Sequence, residues 1–592
     1  MKPKKLNILE QLLSKIHDHL TQKQFLILSS ILVGLSTGIA AVILKSFAHF
    51  IRKQLVDQYL QTQDFKLTYV FLPLIGIGIT VLIINRFYNG FLSKGISYIL
   101  QSIAKKSSFI PFHHMWAHII TSGITVGFGG SGGMEAPIVN TGSAIGSNYA
   151  RRYKLSYRER TLLLAAGAAG GIAGAFNAPI AGVLFALEVL LIDINLTAFI
   201  PLLIASASGA LISKIILNEN ILLNFKLKQP FNYENLPFYV ALALLSAAVA
   251  LYYVNVFSWA SAKFKKLKSK SMRWLIGSLL LAVLLLLFPT LFGEGYESIK
   301  GISELHTDQF LNQSVLKNFV DHKWQILILI CLTFLLKSVA VALTIGSGGN
   351  CGNFAPSLFV GAHLGFAFAL LLQYLGFKDV PVVNFTLVAM AGVLAGVFHA
   401  PLTSIFLIAE ITGGYELIIP LMIVSSVSYA VVKYFHPDSL DVLKLKKKGT
   451  VVSEDKDTSI LGKIDMSKLI ETDFTTLKPN DNLGVIVENI KHSQRNIFPV
   501  VDENNKLQGI ITMAGIKEEM FNQELYTKLV ASEIMLKPEV IIKHDEDIFS
   551  VMDKFEETGQ WNLPVTEKGV YKGFLSKSSI LTEYREQLLS SI

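Results

Sequence analysis

Cysteine is almost absent from this chain of 592 residues, which contains only Cys331 and Cys351. Their spacing is not that of a metal site, and both lie in or beside apolar segments, so we predict neither a disulfide framework nor a bound metal. Acidic residues are the minority, because 44 Asp and Glu stand against 53 Lys and Arg, a net charge of +9. The basic clusters flank hydrophobic segments, as in loops on the cytoplasmic side of a membrane, so we expect no nucleic-acid partner.

Patterns that would indicate other functions are also missing. No H-E-x-x-H motif occurs, which argues against an intramembrane metalloprotease, and we expect neither enzyme activity nor a cofactor. Residues 1–23 lack a continuous apolar core, so we interpret them as a cytoplasmic N-terminal segment rather than a cleavable signal peptide. A divalent-cation transporter would need acidic residues at the membrane midplane, where this chain has glycine-rich segments instead.

Hydrophobic residues are abundant, at 51% of the chain with a mean hydropathy of +0.48. We therefore predict a polytopic all-α membrane domain over residues 24–448. Several apolar spans are shorter than the ~20 residues needed to cross the bilayer, which favours broken helices. The basic loops should face the cytoplasm and the acidic segment 293–323, with Glu294, Glu297, Glu304 and Asp308, should face out. The basic loops are the N-terminus, Arg151 to Arg160, Lys263 to Arg273, and Lys444 to Lys448.

One carboxylate, Glu135, lies among glycines in this apolar region, in the stretch from Gly129 to Pro137. A charge at that depth is costly, so a functional role is the default interpretation. Glycines leave backbone N–H groups accessible, and a helix with Pro137 in its first turn would add the positive end of its dipole. The pattern predicts an anion site.

A second stretch, from Gly346 to Pro356, repeats the Gly-Ser-Gly-Gly and the Ala-Pro with three residues inserted between them. The segment from Ala173 to Glu188 likewise matches the segment from Ala395 to Glu410. The membrane domain is therefore predicted to contain two halves, about 24–217 and 236–440, as in transporters built from broken helices. We interpret Glu188 and Glu410 as structural carboxylates that cap or bridge helices.

After Lys448 the composition becomes that of a soluble α/β domain, and another repeat begins. Each unit is predicted as an amphipathic helix, a strand, a turn, a strand and a helix, with helices near 482–493 and 547–558. The units resemble a tandem pair of CBS domains, over 468–523 and 529–588, after a linker at 449–467.

With these pieces in place, the chain resembles the CLC family of chloride channels and chloride/proton antiporters over nearly its whole length. The motifs that carry the resemblance are Gly133 to Pro137, Gly352 to Pro356 and Ala181 to Glu188. It implies two inverted-repeat halves, a homodimer, an anion pathway in each subunit and Glu135 as the gating residue. The anion-binding positions implied are Ser93, Lys94, Gly95, Gly133, Met134, Gly352, Asn353 and Phe354.

Three positions depart from the family pattern. Lys94 stands where family members have a serine that contacts the anion. Three interpretations are open: the lysine holds anions tightly, its ammonium snorkels to the cytoplasmic edge, or a register slip places Ser93 at the anion instead. Leu440 replaces a tyrosine, which removes a hydroxyl donor and leaves selectivity for chloride over other anions open. Val189 replaces an inner proton-relaying glutamate, which favours a channel; an antiporter, or a transporter of another anion, remains the alternative.

The resemblance also implies a location in the cytoplasmic (plasma or inner) membrane, with the CBS pair in the cytoplasm. Gly515 and Ser579 stand where nucleotide-binding CBS pairs have an aspartate, so an adenine nucleotide site and a dimerising platform are both open interpretations. We expect His113 and His114 to be solvated at the membrane edge, and His399 to be a hydrogen-bonded interfacial residue at a helix start. Lys337 could add positive potential to the pathway.

Overall fold

The computed structural model divides the chain into two units, Met1–Val452 and Ser453–Ile592. It describes residues 20–57, 68–190, 196–217, 230–267, 269–303, 323–377, 379–446, 461–462 and 464–591. Glu304, Asp308, most of the predicted N-terminal segment 1–23 and most of the predicted linker 449–467 lie outside these ranges.

The first unit is a bundle of apolar helices, and within the described residues eight are long and apolar enough to cross a membrane. Leucine, isoleucine, valine and alanine fill these helices, so their side chains are stable in lipid or against one another. The helices are α1 Gln22–Ile51, α2 Leu72–Phe87, α3 Ile96–Lys105, α4 His114–Gly127, α5 Glu135–Arg152, α6 Tyr157–Phe176, α7 Pro179–Phe185, α8 Leu196–Leu217, α9 Leu236–Lys266, α10 Lys270–Leu287, α11 Tyr296–Ser303, α12 Lys323–Gly346, α13 Phe354–Tyr374, α14 Val382–Phe398, α15 Pro401–Ile411, α16 Ile418–Phe435 and α17 Leu440–Lys446.

Shorter apolar helices fill the middle of this bundle, as the short spans in the sequence predict. Helix α7 with the π turn that follows it, α14 and α15 have between 10 and 17 residues. Every residue of α14 is buried, because the helix is apolar on all its faces. The chain is thus a multi-pass membrane protein with broken helices, and the predicted fold class is confirmed.

The two halves repeat the same local structure at equivalent positions. Helix α6 ends at Asn177 and α14 at His399, both left-handed, with φ of 56° at each. The next helices begin two residues later with Pro179 and Pro401, a favourable first residue because proline lacks an N–H. His399 therefore ends one helix rather than starting the next, which corrects the expectation for this residue.

Reciprocal carboxylates join the halves. Glu188 accepts hydrogen bonds from the backbone N–H groups of Leu402 (2.9 Å) and Thr403 (2.7 Å), and from the Thr403 hydroxyl. Glu410 accepts from the N–H groups of Ile180 (2.9 Å) and Ala181 (2.8 Å). Each glutamate caps the helix that begins in the other half, so the interpretation as structural caps is confirmed.

The second unit contains the two predicted strand-turn-strand repeats. Strand β1 (Ile497–Val501) pairs antiparallel with β2 (Leu507–Thr512). Strand β4 (Asn562–Glu567) pairs antiparallel with β5 (Val570–Ser576) and parallel with the short β3 (Ile542–Lys543). The helix before each hairpin is capped by a side-chain oxygen, from Asn482 and Asp547. The elements of the second unit are α18 Leu483–His492, β1 Ile497–Val501, β2 Leu507–Thr512, α19 Ala531–Ile534, β3 Ile542–Lys543, α20 Ile548–Thr558, β4 Asn562–Glu567, β5 Val570–Ser576 and α21 Lys577–Ser591.

Candidate anion pathway

The two glycine-rich loops pair with each other at the centre of the membrane unit. The N–H of Gly133 donates to the carbonyl of Gly352 (3.0 Å), and the N–H of Gly352 donates to the carbonyl of Gly133 (2.8 Å). A Cβ on Gly352 would lie 2.6 Å from the Cβ of Ala136, so this approach requires glycine. The pairing places the start of α5, at Glu135, beside the start of α13, at Phe354.

The Glu135 side chain is 4% exposed and lies at the N-terminus of α13. One carboxylate oxygen accepts a hydrogen bond from the backbone N–H of Ala355 (3.4 Å), and the other accepts from the hydroxyl of Tyr296 (2.7 Å). The first N–H groups of a helix have no partner within the helix and suit an anion. The carboxylate of Glu135 therefore occupies a position at which a small anion would be stabilised.

Two cavities meet at Glu135. The first, which we call the Glu294 cavity, has a volume of about 390 Å³ and is lined by Lys45, Glu294 and Tyr296 among others. The second, the Lys94 cavity, has a volume of about 320 Å³ and is lined by Lys94 and Asp441 among others. Among the lining residues, Glu135 is the one that the two cavities share. The Glu135 carboxylate thus lies where the two cavities approach each other.

The predicted anion-binding residues do not all line the same cavity. Met134 lines the Glu294 cavity and Gly133 forms the loop pairing, while Ser93 lines neither cavity. Gly95 begins α3 in a left-handed conformation, with φ of 81°. The predicted anion-binding residues that line the Lys94 cavity are Lys94, Gly95, Gly352, Asn353 and Phe354.

Lys94 is held by backbone carbonyls of the membrane unit, which gives no support to the snorkelling expectation. Its ammonium group donates to the carbonyls of Gly348 (2.7 Å) and Gly349 (3.0 Å), in the loop after α12. Carbonyls that follow a helix carry partial negative charge and lack helical donors, so a cation is stabilised there. Because Lys94 lines the cavity and Ser93 does not, the structure gives no support to the register slip.

Leu440 and Val189 lie away from the cavities. Leu440 is 1% exposed and packs in the hydrophobic core, while the next residue, Asp441, lines the Lys94 cavity with its carboxylate 3.1 Å from the Lys444 ammonium. Val189 lies in a π turn after α7 and lines neither cavity. Asp441 could not be recognised from the sequence, because an acidic residue near a basic loop is usually solvated.

Lys337 supports a loop instead of lining the pathway. Its ammonium is fully buried and donates to the carbonyls of Leu291 (3.2 Å) and Gly293 (3.0 Å), 4.8 Å from the ring centre of Phe359. It lines neither cavity, so any positive potential that it adds to the pathway acts from outside the cavity walls. Its charge is instead stabilised by carbonyl oxygens and an aromatic face.

One of the two histidines at the start of α4, His114, also differs from the expectation of a solvated side chain. His114 is 3% exposed, and its Nδ1 lies 3.0 Å from Nε2 of His118. His118 in turn contacts the side-chain nitrogen of Asn350 at 3.1 Å. The expectation that His114 is solvated is wrong, because its ring also stacks on Tyr98 at 5.0 Å. Within the described residues no group of three or more His, Cys, Asp or Glu side chains could hold a metal ion.

Sequence reasoning missed Tyr296 and did not connect Glu294 with Glu135. Both belong to the segment 293–323 that was expected to face out, and the structure places their side chains in the cavity beside Glu135. The carboxylate of Glu294 accepts a hydrogen bond from the N–H of Met134 (3.2 Å). The spacing of Gly293 and Gly295, both with positive φ, is the one local signal of a tight loop.

Some known proteins are similar to this chain in sequence, and some solved structures are similar to it in fold. "Chloride channel protein CLC-f" of Arabidopsis thaliana is 25% identical over 537 residues, 78% of this chain and 66% of the relative. "Voltage-gated ClC-type chloride channel ClcB" of Escherichia coli O139:H28 is 28% identical over 326 residues, 54% of this chain and 72% of the relative. The fold matches a crystal structure of a slow cyanobacterial Cl⁻/H⁺ antiporter with a TM-score of 0.61 and 21% identity, over 72% of this chain and 98% of that one. A eukaryotic CLC transporter matches with a TM-score of 0.60 and 18% identity, over 94% of this chain and 97% of the other.

Family models match both parts of the chain. The model described as "Voltage gated chloride channel" matches residues 76–433, and the CBS domain model matches residues 461–522 and 531–586. The first match covers the paired glycine loops, Glu135 and the reciprocal caps, and the others cover the two strand-turn-strand repeats. This chain therefore belongs to the CLC family of voltage gated chloride channels, with a pair of CBS domains after its membrane unit.

Proposed function

We propose that this protein is a homodimer that transports chloride, each subunit through its two cavities, with Glu135 as the gate between them. The observation that carries the proposal is the Glu135 carboxylate on the N–H of Ala355, at the point where the cavities meet. The names of the relatives, chloride channels among them, support chloride as the ion. Lys265, Arg273 and Lys444 line the Lys94 cavity and belong to the basic segments at the ends of α9, α10 and α17, so this cavity faces the cytoplasm.

Protonation of Glu135 is the event that opens the pathway in this proposal. A charged carboxylate is held by the Ala355 N–H and the Tyr296 hydroxyl, whereas a neutral carboxyl accepts both bonds more weakly and is free to rotate away. Chloride then takes the vacated place at the start of α13. Backbone N–H groups bind the ion without a fully charged cage, so it can also leave.

Transport is channel-like, without a side chain that relays protons from the cytoplasm. Val189 cannot carry a proton, and its neighbour Glu188 is engaged in capping α15. The Lys94 ammonium is likewise engaged with two carbonyls. These contacts favour a channel over the antiporter alternative.

Replacing Glu135 by glutamine tests the gate. We expect chloride efflux from proteoliposomes to persist in Glu135→Gln and to become independent of pH, because glutamine is neutral at every pH. Glu416→Gln is the matched control, since Glu416 is an exposed glutamate of the same unit and should leave the pH dependence unchanged. Loss of chloride efflux in a folded Glu135→Gln protein would contradict the assignment.

A further inference from the structure

The loop that carries Glu294 is built so that its carboxylate lies beside the proposed gate. Gly293 and Gly295 flank Glu294 with φ of 62° and 96°, in the left-handed region that favours glycine. A Cβ on Gly295 would overlap the ring of Phe359, so the backbone passes this point only because the residue is glycine.

Hydrogen bonds fix this loop against the first glycine-rich loop. The N–H of Gly132 donates to the carbonyl of Gly293 (3.2 Å), and the N–H of Gly293 donates to the carbonyl of Gly129 (3.2 Å). The buried ammonium of Lys337 holds the Gly293 carbonyl from the other side (3.0 Å). The backbone of residues 293–295 therefore has a fixed position relative to the start of α5.

From this position Glu294 and Tyr296 form hydrogen bonds to neighbouring residues at the start of α5. The Glu294 carboxylate accepts the N–H of Met134 (3.2 Å), immediately before Glu135, and the Tyr296 hydroxyl donates to Glu135 itself (2.7 Å). Each of the two helix starts at the centre of the bundle is thus covered by a carboxylate of the protein: α13 by Glu135 and α5 by Glu294.

The two carboxylates also share the Glu294 cavity and interact electrostatically. Like charges in a cavity of low polarity repel each other, so a negative charge on one favours retention of the proton on the other. The positive wall of the cavity comes from α1 and the π turn that follows it, where Arg52 also pairs with Glu297. The titratable groups that face the pair are Lys45, His49, Arg52, Lys53 and Tyr296 in the cavity wall, together with Lys337, which holds the Gly293 carbonyl, and Cys351.

We propose that Glu294 is a second gating carboxylate, which covers the N-terminus of α5 on the side of the Glu294 cavity and sets the pH at which Glu135 opens. The inference rests on the proposed role of Glu135. An anion that enters from this side must displace the Glu294 carboxylate from the Met134 N–H or pass it. The negative charge of Glu294 promotes protonation of Glu135 and hence opening at a higher pH.

The test is the pH dependence of chloride efflux from proteoliposomes containing the full chain, with equal pH on both sides. In Glu294→Gln the midpoint should move to more acidic pH by about one pH unit, because a neighbouring negative charge has been removed. Glu294→Asp, which keeps the charge, should move it by less than half as much, and the exposed Glu416→Gln, which lines neither cavity, should leave it unchanged. The midpoint is the readout because removing the charge has opposing effects on the amplitude: it eases anion entry but favours the closed, ionised form of Glu135.

Glu294→Ala is the second variant, since it removes the carboxyl without adding an amide donor, and its midpoint should shift in the same direction. A wild-type midpoint in either Glu294→Gln or Glu294→Ala, with a wild-type elution volume on size exclusion, overturns the proposal. A shift in Glu294→Asp as large as that in Glu294→Gln also overturns it. Full pH dependence in Glu135→Gln would instead refute the gate itself, so the two failures are distinguishable.

Discussion

At the scale of single residues, the account depends on what holds a carboxylate at the start of a helix. Glu135 could be found from the sequence because a charge among glycines in an apolar region is rare. Tyr296 could not, because its partner is 161 residues away and nothing near it in sequence is unusual. Lys94 was recognised as a departure, but its carbonyl partners lie 254 and 255 residues away, so only the structure shows what its charge does.

Removal of the Tyr296 hydroxyl should loosen the gate. A hydrogen bond to a charged group contributes ~1.5–3 kcal/mol, so Tyr296→Phe should raise chloride efflux at neutral pH by roughly tenfold. The pH midpoint of efflux should also move to higher pH, because the hydroxyl stabilises the ionised form of Glu135 that closes the pathway. The measurement is the pH profile of efflux, with the exposed Tyr415→Phe as control. An unchanged profile in Tyr296→Phe would show that the hydroxyl does not restrain Glu135.

At the scale of elements, the duplicated sequence predicted more than the fold class. The repeated Ala-Pro motifs and the matching positions of Glu188 and Glu410 were enough to predict structural carboxylates. That each one caps a helix of the opposite half could not be predicted, because sequence periodicity does not show how two halves pack. The closeness of the loop at 293–295 to Glu135 could not be predicted for a related reason: acidic residues outside apolar spans are usually solvated, and here backbone pairing draws the loop inward.

Loss of either cap should destabilise the membrane unit. The amide nitrogen of a glutamine would face the backbone donors, so Glu188→Gln and Glu410→Gln should each lose at least ~1.5–3 kcal/mol of stability. Glu188→Gln should be the more severe, because Glu188 accepts three hydrogen bonds and Glu410 accepts two. The fraction of protein that stays monodisperse on size exclusion after heating is the measurement. Both variants should fall below Glu416→Gln, and survival equal to that control would contradict the capping role.

At the scale of the whole molecule, Glu135 is the lining residue that the two cavities share, and the proposed function makes it the gate between them. The sequence predicted the membrane unit, its two halves and the strand-turn-strand tail, because hydropathy and repeats are local signals. It did not predict the cavities, whose walls combine α1, the loop at 293–295, α3, α9 and α17. The proposed transport is passive because Val189, which cannot carry a proton, stands at the inner position.

Chloride efflux from proteoliposomes at a clamped potential, with external pH recorded at the same time, tests this claim most directly. A pathway gated by Glu135, with Val189 at the inner position, should give chloride efflux without proton movement. Valinomycin with potassium clamps the potential, and liposomes without protein provide the baseline. Protons driven against their gradient by chloride would show that water or another side chain bypasses Val189. An absence of chloride efflux from folded protein would contradict the chloride pathway itself.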